Sequence, residues 1–155
     1  MHRRMTAGPL PADPPGAWQQ QLTAFCRTLR TELLRHRDGA KVYGGARFTG
    51  TGYAASLEGH LRVMTEAGFT LAQAPRVGGT AYAYTMGFVS EEQGVRPMRD
   101  ERREGYDIEE WAARLAAHPL AAAAGPEVFT DYDQQVEEGL RMIVAGAEAV
   151  YGGPS

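Results

Sequence analysis

Apolar residues recur at helical spacing along most of the chain. The first such stretch begins at Ala17 and is expected to end at Gly39, with Gln, Arg and Glu side chains opposite the apolar stripe. No convincing alternation typical of a β-strand occurs, so the sequence predicts an all-α fold, a multi-helix bundle. The stripe of the first helix consists of Trp18, Leu22, Phe25, Cys26, Leu29, Leu33 and Leu34.

Two further helices follow a glycine-rich stretch at 44–52. The first is predicted from about Tyr53 to Ala67, with Gly68 as its natural stop. Thr70 and Gln73 then form a capping-box pattern that opens a long helix reaching about residue 93. Pro75 lies early enough in this helix to be tolerated.

The C-terminal part begins with a charged, proline-containing connection at 94–107. Helix signals return at 108–117 and briefly after Pro119. The last helix is the clearest, because one apolar stripe runs from Tyr132 to Tyr151 and stops before Gly152.

Composition indicates one domain. The 155 residues are 43% hydrophobic, enough for one sizeable core, and four prolines mark residues 1–17 as a flexible arm. The predicted domain spans 18–152, and 153–155 form a tail. A net charge of −3 argues against nucleic-acid binding by this chain alone, because phosphate contacts require a concentrated basic surface.

Candidate chemistry is sparse. A single cysteine, Cys26, excludes an internal disulfide and a cysteine-built zinc site, and the four histidines lack the spacing of metal ligands. No nucleophile elbow, phosphate-binding loop or dinucleotide fingerprint occurs, so neither an enzyme nor a cofactor is expected. No apolar run reaches the ~18 to 20 residues of a membrane span, and no signal peptide is evident, which favours the cytoplasm.

Three collinear segments carry a family resemblance: residues 34–47, Met64 to Phe69 and Tyr84 to Gln93, with Val136 to Leu140 as a weaker fourth. Together they resemble the ligand-binding and dimerisation domain of the tetracycline repressor family. The resemblance implies a homodimer whose core encloses a pocket for a small-molecule effector. The helix-turn-helix that precedes this region in the family finds no counterpart here, so the resemblance predicts a sensor without its DNA reader. The alternative is an interaction module that forms mixed dimers with a full-length regulator.

The resemblance also implies a set of pocket residues. For the apolar members, core packing is the alternative, and for His60 it is a structural hydrogen bond. Glu91 alternatively carries a solvated charge. The set is Phe25, Leu29, Tyr43, Arg47, Phe48, Leu57, His60, Leu61, Met64, Gly78, Tyr82 and Glu91.

Two positions depart from the tetracycline-binding members of the family. Tyr43 stands where they use a histidine to bind the Mg²⁺ carried by the drug, and a phenol with a pKa of ~10 is a poor Mg²⁺ ligand. Phe25 replaces an asparagine that grips the drug. We therefore expect an effector other than Mg²⁺-tetracycline, a lipophilic aromatic molecule stacked on aromatic side chains, with Arg47 available to an acid or carbonyl group.

Small residues on two helices indicate a dimer interface. Glycine inside a helix costs ~1 kcal/mol relative to alanine, so Gly139 and Gly146, two turns apart, suggest close approach of another helix. The last helix and the 70–93 helix would form a four-helix bundle with their copies in the dimer, and intrachain packing is the alternative. The predicted interface residues are Gly79, Ala83, Gly87, Gly139, Ile143, Gly146 and Val150.

Overall fold

The computed structural model describes residues 16–37, 39, 54–95 and 107–152. These residues form six helices and no strand, as the all-α prediction requires. The predicted arm and tail lie outside the described residues except for Gly16 and Ala17. The helices are α1 (Ala17–Leu34), α2 (Ala54–Glu66), α3 (Gln73–Val95), α4 (Ile108–Arg114), α5 (Pro119–Phe129) and α6 (Tyr132–Tyr151).

The core lies where α1, α3 and α6 pack against one another, with α2 closing one side. Burial of these apolar stripes is the main force holding the helices together. A smaller cluster, Leu29, Leu33 and Val89, extends the contact between α1 and α3. The main cluster is Trp18, Leu22, Cys26, Met64, Phe69, Ala74, Val77, Ala81, Leu140, Val144 and Ala147.

The junction between α2 and α3 confirms the predicted capping box. The Thr70 amide donates to Gln73 Oε1 at 3.0 Å, and the Gln73 amide donates to Thr70 Oγ1 at 3.1 Å. Gly68 adopts φ +105°, a conformation that side chains disfavour, and ends the preceding helix. Phe69 then enters the core and meets Trp18 edge-on, with ring centroids 5.0 Å apart.

The polar side of α1 is tied to α6 and α3 by charged side chains. Arg27 forms a bidentate pair with Glu137 at 2.6 and 2.7 Å. Arg30 donates to both carboxylate oxygens of Glu92 on α3, at 2.9 and 3.0 Å, and to Asp133 on α6 at 2.8 Å. Three helices are therefore joined at one guanidinium.

Helices α4 and α5 form a hairpin that packs mainly on itself. The rings of Trp111 and Phe129 meet edge-on at 5.2 Å, and Gly125 lies directly beneath the Trp111 ring. The brief helix predicted after Pro119 is in fact 11 residues long and contains Pro126. Helix α4 ends at Arg114, earlier than predicted. Residues 96–106 of the predicted connection lie outside the described residues.

Candidate functional site

The two flanks of α1 differ in chemistry. Helical spacing places Phe25 one turn before Leu29, on the side of α1 away from Arg27. Phe25 is 46% exposed although it is a large apolar side chain on the apolar stripe of α1. This flank of α1 is therefore open at Phe25, whereas the opposite flank is joined to α6 by ion pairs.

Helix α2 contributes an apolar face that is buried at one end only. Met64 is 1% exposed and belongs to the core, and Leu61 is half-buried against it. Leu57, two turns earlier on the same face, is 40% exposed. The face thus changes from core to surface along its length, which leaves Leu57 available to another molecule.

The imidazole of His60 lies against α3 at Gly78. Its Nε2 is 3.1 Å from the carbonyl oxygen of Ala74. A Cβ on Gly78 would stand 2.6 Å from that same nitrogen. A carbonyl can only accept, so Nε2 is the donor, and the structural hydrogen bond considered for His60 is present.

The remaining predicted pocket residues divide into three groups. Leu29 is buried in the cluster with Leu33 and Val89, and Tyr82 is partly buried against that same cluster. Glu91 is exposed on α3, as expected of a solvated charge. The other three lie outside the described residues: Tyr43, Arg47 and Phe48.

The predicted dimer face is open at most of its positions. No heavy atom lies within 4 Å of a Cβ built on Gly79, Gly87 or Gly146. Ala83 is exposed, and Val150 is 76% exposed. Met142, which the sequence analysis did not single out, is also exposed, one turn before Gly146 on the same face.

Two residues predicted at the dimer face have partners within the chain. Ile143 is half-buried against the main core. A Cβ on Gly139 would stand 2.0 Å from the hydroxyl oxygen of Tyr84. Intrachain packing, the alternative considered for these glycines, therefore accounts for Gly139 but not for Gly146.

The arginine junction is the main feature that sequence reasoning missed. Arg30 and Glu92 are mostly buried, with side-chain exposures of 13% and 4%, and the Phe88 ring lies under the guanidinium at 5.7 Å. Burial lowers the pKa of Arg30, but its hydrogen bonds to Glu92 and Asp133 outweigh burial and raise that pKa overall. A signal was present, because Glu92 follows the core-facing positions Thr85 and Val89 at helical spacing.

A cleft of about 210 Å³ lies between α1 and α6 beside this junction. It is lined by the paired charges of Arg27, Arg30, Asp133 and Glu137, and by none of the predicted pocket residues. Its charged groups already pair with one another, so it does not match a lipophilic ligand. In the described ranges, no group of three or more His, Cys, Asp or Glu side chains could hold a metal ion.

Cys26 is a core residue. The side chain is buried between α1 and α3, and burial raises the pKa of its thiol, an effect that a hydrogen bond with Thr85 opposes. A buried protonated thiol behaves as a small apolar group. None of the helices in the described ranges is both long and apolar enough to span a bilayer.

Comparisons with known proteins agree with this architecture. The family described as tetracyclin repressor-like, C-terminal domain, matches residues 10–151. The class A tetracycline repressor protein from transposon 1721 of Escherichia coli is 34% identical over 131 residues, 83% of this chain and 57% of that protein. An HTH-type transcriptional regulator from Saccharopolyspora erythraea is 27% identical over 92% of this chain and 61% of its own length.

A solved structure gives the same result. The crystal structure of a possible TetR family transcriptional regulator from Streptomyces coelicolor A3(2) superimposes with a TM-score of 0.71 and 31% identity, covering 87% of this chain and 66% of that one. This chain thus spans about 60% of the length of the relatives it matches. The names of these relatives describe regulators, in agreement with the prediction that the chain is not an enzyme. The chain belongs to the tetracycline repressor-like C-terminal domain family.

Proposed function

We propose that this chain is the effector-binding and dimerisation part of a transcriptional repressor, and that its effector is a lipophilic aromatic molecule. The observation that carries the proposal is the exposure of two large apolar side chains, Phe25 on α1 and Leu57 on α2. Large apolar side chains beside a closed core mark a place where another apolar surface is bound. Ligand pockets combine such walls with a few polar groups.

The chemistry of the described walls supports an uncharged or weakly polar ligand. Phe25, Leu57 and the partly buried Leu61 supply apolar contact, and Tyr82 adds an aromatic ring packed against the cluster that contains Leu29. Stacking between aromatic rings contributes ~0.5 to 1.5 kcal/mol beyond area burial. Tyr43, Arg47 and Phe48 remain predicted members of the same site.

Mg²⁺-tetracycline remains an unexpected effector for this chain, although relatives carry that drug in their names. Phe25 offers an apolar ring where a polar grip on the drug is needed. Glu91 is exposed on α3, and in the described ranges it belongs to no group of three or more His, Cys, Asp or Glu side chains that could hold a metal ion. The residues present therefore do not fit a drug-borne Mg²⁺.

A homodimer is proposed through the outer faces of α3 and α6. Met142 and Val150 are exposed apolar side chains, and the glycines beside them leave room for close approach of a second helix pair. The α4–α5 hairpin adds apolar surface, since Leu120 is 86% exposed and only Gly125 of α5 is buried. Both surfaces would be covered in a dimer.

In such a repressor, effector binding and DNA binding are thermodynamically linked. An effector releases DNA only if it binds the released conformation more tightly than the DNA-bound one, and the shift cannot exceed that difference in affinity. The DNA-reading part, the operator and a cytoplasmic location belong to the whole regulator and remain predictions.

A thermal-shift screen of lipophilic aromatic compounds tests the proposal, with tetracycline included with and without Mg²⁺. A ligand at 100 times its Kd should add ~2.7 kcal/mol to the free energy of unfolding. Loss of the shift on replacing Phe25 or Leu57 with Ser, with the fold intact, would locate the site. A silent screen on a folded dimer would favour the mixed-dimer module instead. A tight tetracycline response that requires Mg²⁺ would contradict the predicted effector class.

A further inference from the structure

His60 occupies a notch on α3 that exists because residue 78 is glycine. A Cβ there would meet three imidazole atoms, Nε2 at 2.6 Å, Cε1 at 3.1 Å and Cδ2 at 3.3 Å. The imidazole therefore takes the volume that any other residue at position 78 would fill. Gly79, its neighbour, has no atom within 4 Å of the corresponding position, so the notch is specific to Gly78.

The imidazole also makes a hydrogen bond to α3 through Nε2. Nε2 donates to the Ala74 carbonyl at 3.1 Å, within the first turn of α3. With Nε2 as donor, the neutral ring carries its lone pair on Nδ1. The Nε2 edge of the ring is thus engaged by α3 and cannot serve a ligand while this contact persists.

We propose that His60 is a positioning residue, which seats α2 in the Gly78 notch of α3, and not a residue that contacts the effector. The effect of this contact on effector binding rests on the proposed function. Leu57 and Leu61 lie on the same face of α2 as His60, and Tyr82 lies one turn after Gly78 on α3. The seat of His60 sets the separation of the α2 and α3 walls, and hence the depth of the effector site.

In the described ranges, apolar side chains in the second half of α2 pack on the core cluster that α3 shares: Leu61, Val63 and Met64. His60 adds a polar contact to α3, one turn nearer the exposed end of α2 than Met64. The first turn of α2 is exposed. Withdrawal of the imidazole would therefore release the end of α2 that carries Leu57 while leaving the Met64 end anchored.

A double-mutant cycle tests the seat without a ligand. Gly78→Ala should raise the folding equilibrium constant about fivefold in a His60→Ala background, because alanine favours a helix and the notch is empty. With His60 present, the same change should give no gain or a loss, because the methyl group expels the ring. Gly79→Ala is the matched control and should have the same effect in both backgrounds. Equal effects of Gly78→Ala in both backgrounds would overturn the proposal.

The tautomer of the His60 imidazole provides a second, independent test of the contact with Ala74. Long-range ¹H–¹⁵N spectra of the full chain should show neutral His60 protonated almost entirely at Nε2, and Gly78→Ala should raise the Nδ1-protonated fraction toward that of a solvated histidine. If neutral His60 in the unaltered protein is protonated at Nδ1, the proposal is contradicted, because Nε2 could not then donate to the carbonyl of Ala74.

Binding of the fluorescent probe 1-anilinonaphthalene-8-sulfonate separates positioning from contact. Glutamine can place its amide nitrogen near the position of Nε2, so His60→Gln should retain the probe affinity to within about threefold, whereas His60→Ala and Gly78→Ala should weaken it about tenfold. Equal losses for His60→Gln and His60→Ala would assign His60 to direct contact. If the unaltered chain does not bind the probe, the proposed function loses support, while the cycle and the spectra still decide the role of His60.

Discussion

The hydroxyl of Tyr84 occupies the place on α6 where a side chain of Gly139 would begin. A Cβ at position 139 would stand 2.0 Å from that oxygen and 2.3 Å from the adjacent ring carbon. The hydroxyl donates toward the carbonyl oxygens of Gln135 and Val136, at 3.2 and 3.3 Å. Helices α3 and α6 are thereby held at one separation and one register.

Gly139→Ala should destabilise the fold by ~1 to 3 kcal/mol, because the added methyl group must displace the Tyr84 ring as well as its hydroxyl. Urea unfolding followed by circular dichroism would measure the change. Gly59→Ala is the matched control: it lies inside α2 with no atom within 4 Å of its Cβ position, and should stabilise by ~1 kcal/mol. A Gly139→Ala variant as stable as this control would mean that Tyr84 does not fill the site.

The dimer face can be tested by glycines that are open within the chain. Gly146→Ala should favour the isolated helix α6, yet a methyl group at a close helix crossing should weaken the dimer, by about tenfold in Kd. Analytical ultracentrifugation across a dilution series would give that Kd. An unchanged Kd for both Gly146→Ala and Gly87→Ala, in a chain that still dimerises, would remove these helices from the proposed interface.

Arg30→Met should cost about 3 to 5 kcal/mol of unfolding free energy, because it removes two hydrogen bonds from the buried carboxylate of Glu92. Arg35→Met is the control, since Arg35 and Glu32 form an exposed pair at the C-terminal end of α1, with side chains 67% and 56% exposed. This change should alter stability by less than ~0.5 kcal/mol. Similar losses for the two variants would show that the junction of α1, α3 and α6 contributes little.

Tyr84 should make stability fall at alkaline pH. Burial raises its pKa from 10.0 to about 12, an effect that Arg30 partly opposes. Between these values the unfolded chain loses the phenolic proton while the folded chain keeps it, so the stabilisation is complete below pH 10 and is lost as pH rises toward 12. Tyr84→Phe should lessen this loss, measured as the change in urea midpoint from pH 9 to 11. The same slope in both proteins would exclude Tyr84 as its source.

Sequence patterns predicted the helices best where local chemistry defines their ends. Thr70 and Gln73 cap α3 through side chains three residues apart, and that spacing can be recognised in the sequence alone. The length of α5 was missed because its run of alanines is nearly all apolar and has no polar face to reveal a period.

Long-range pairings were beyond the sequence. Arg30 and Glu92 are 62 positions apart, and nothing local identifies an arginine's partner. The same limit applied to Gly139. A glycine inside a helix indicated the close approach of another group, but not whether that group is Tyr84 or a residue of a second chain. For the candidate site, the resemblance supplied positions, and only the coordinates distinguish the buried Met64 from the open Phe25.

We expect the α4–α5 hairpin to open as a unit separate from the core. Its rings, Trp111 and Phe129, meet each other, and beyond the turn into α6 neither helix has an extensive contact with α1, α2 or α3 in the described ranges. Local unfolding free energies follow such boundaries, so amides of the hairpin should exchange with solvent through openings that leave the core amides protected. The apolar surface of α5 would then be presented on an element that can reorder without unfolding the core.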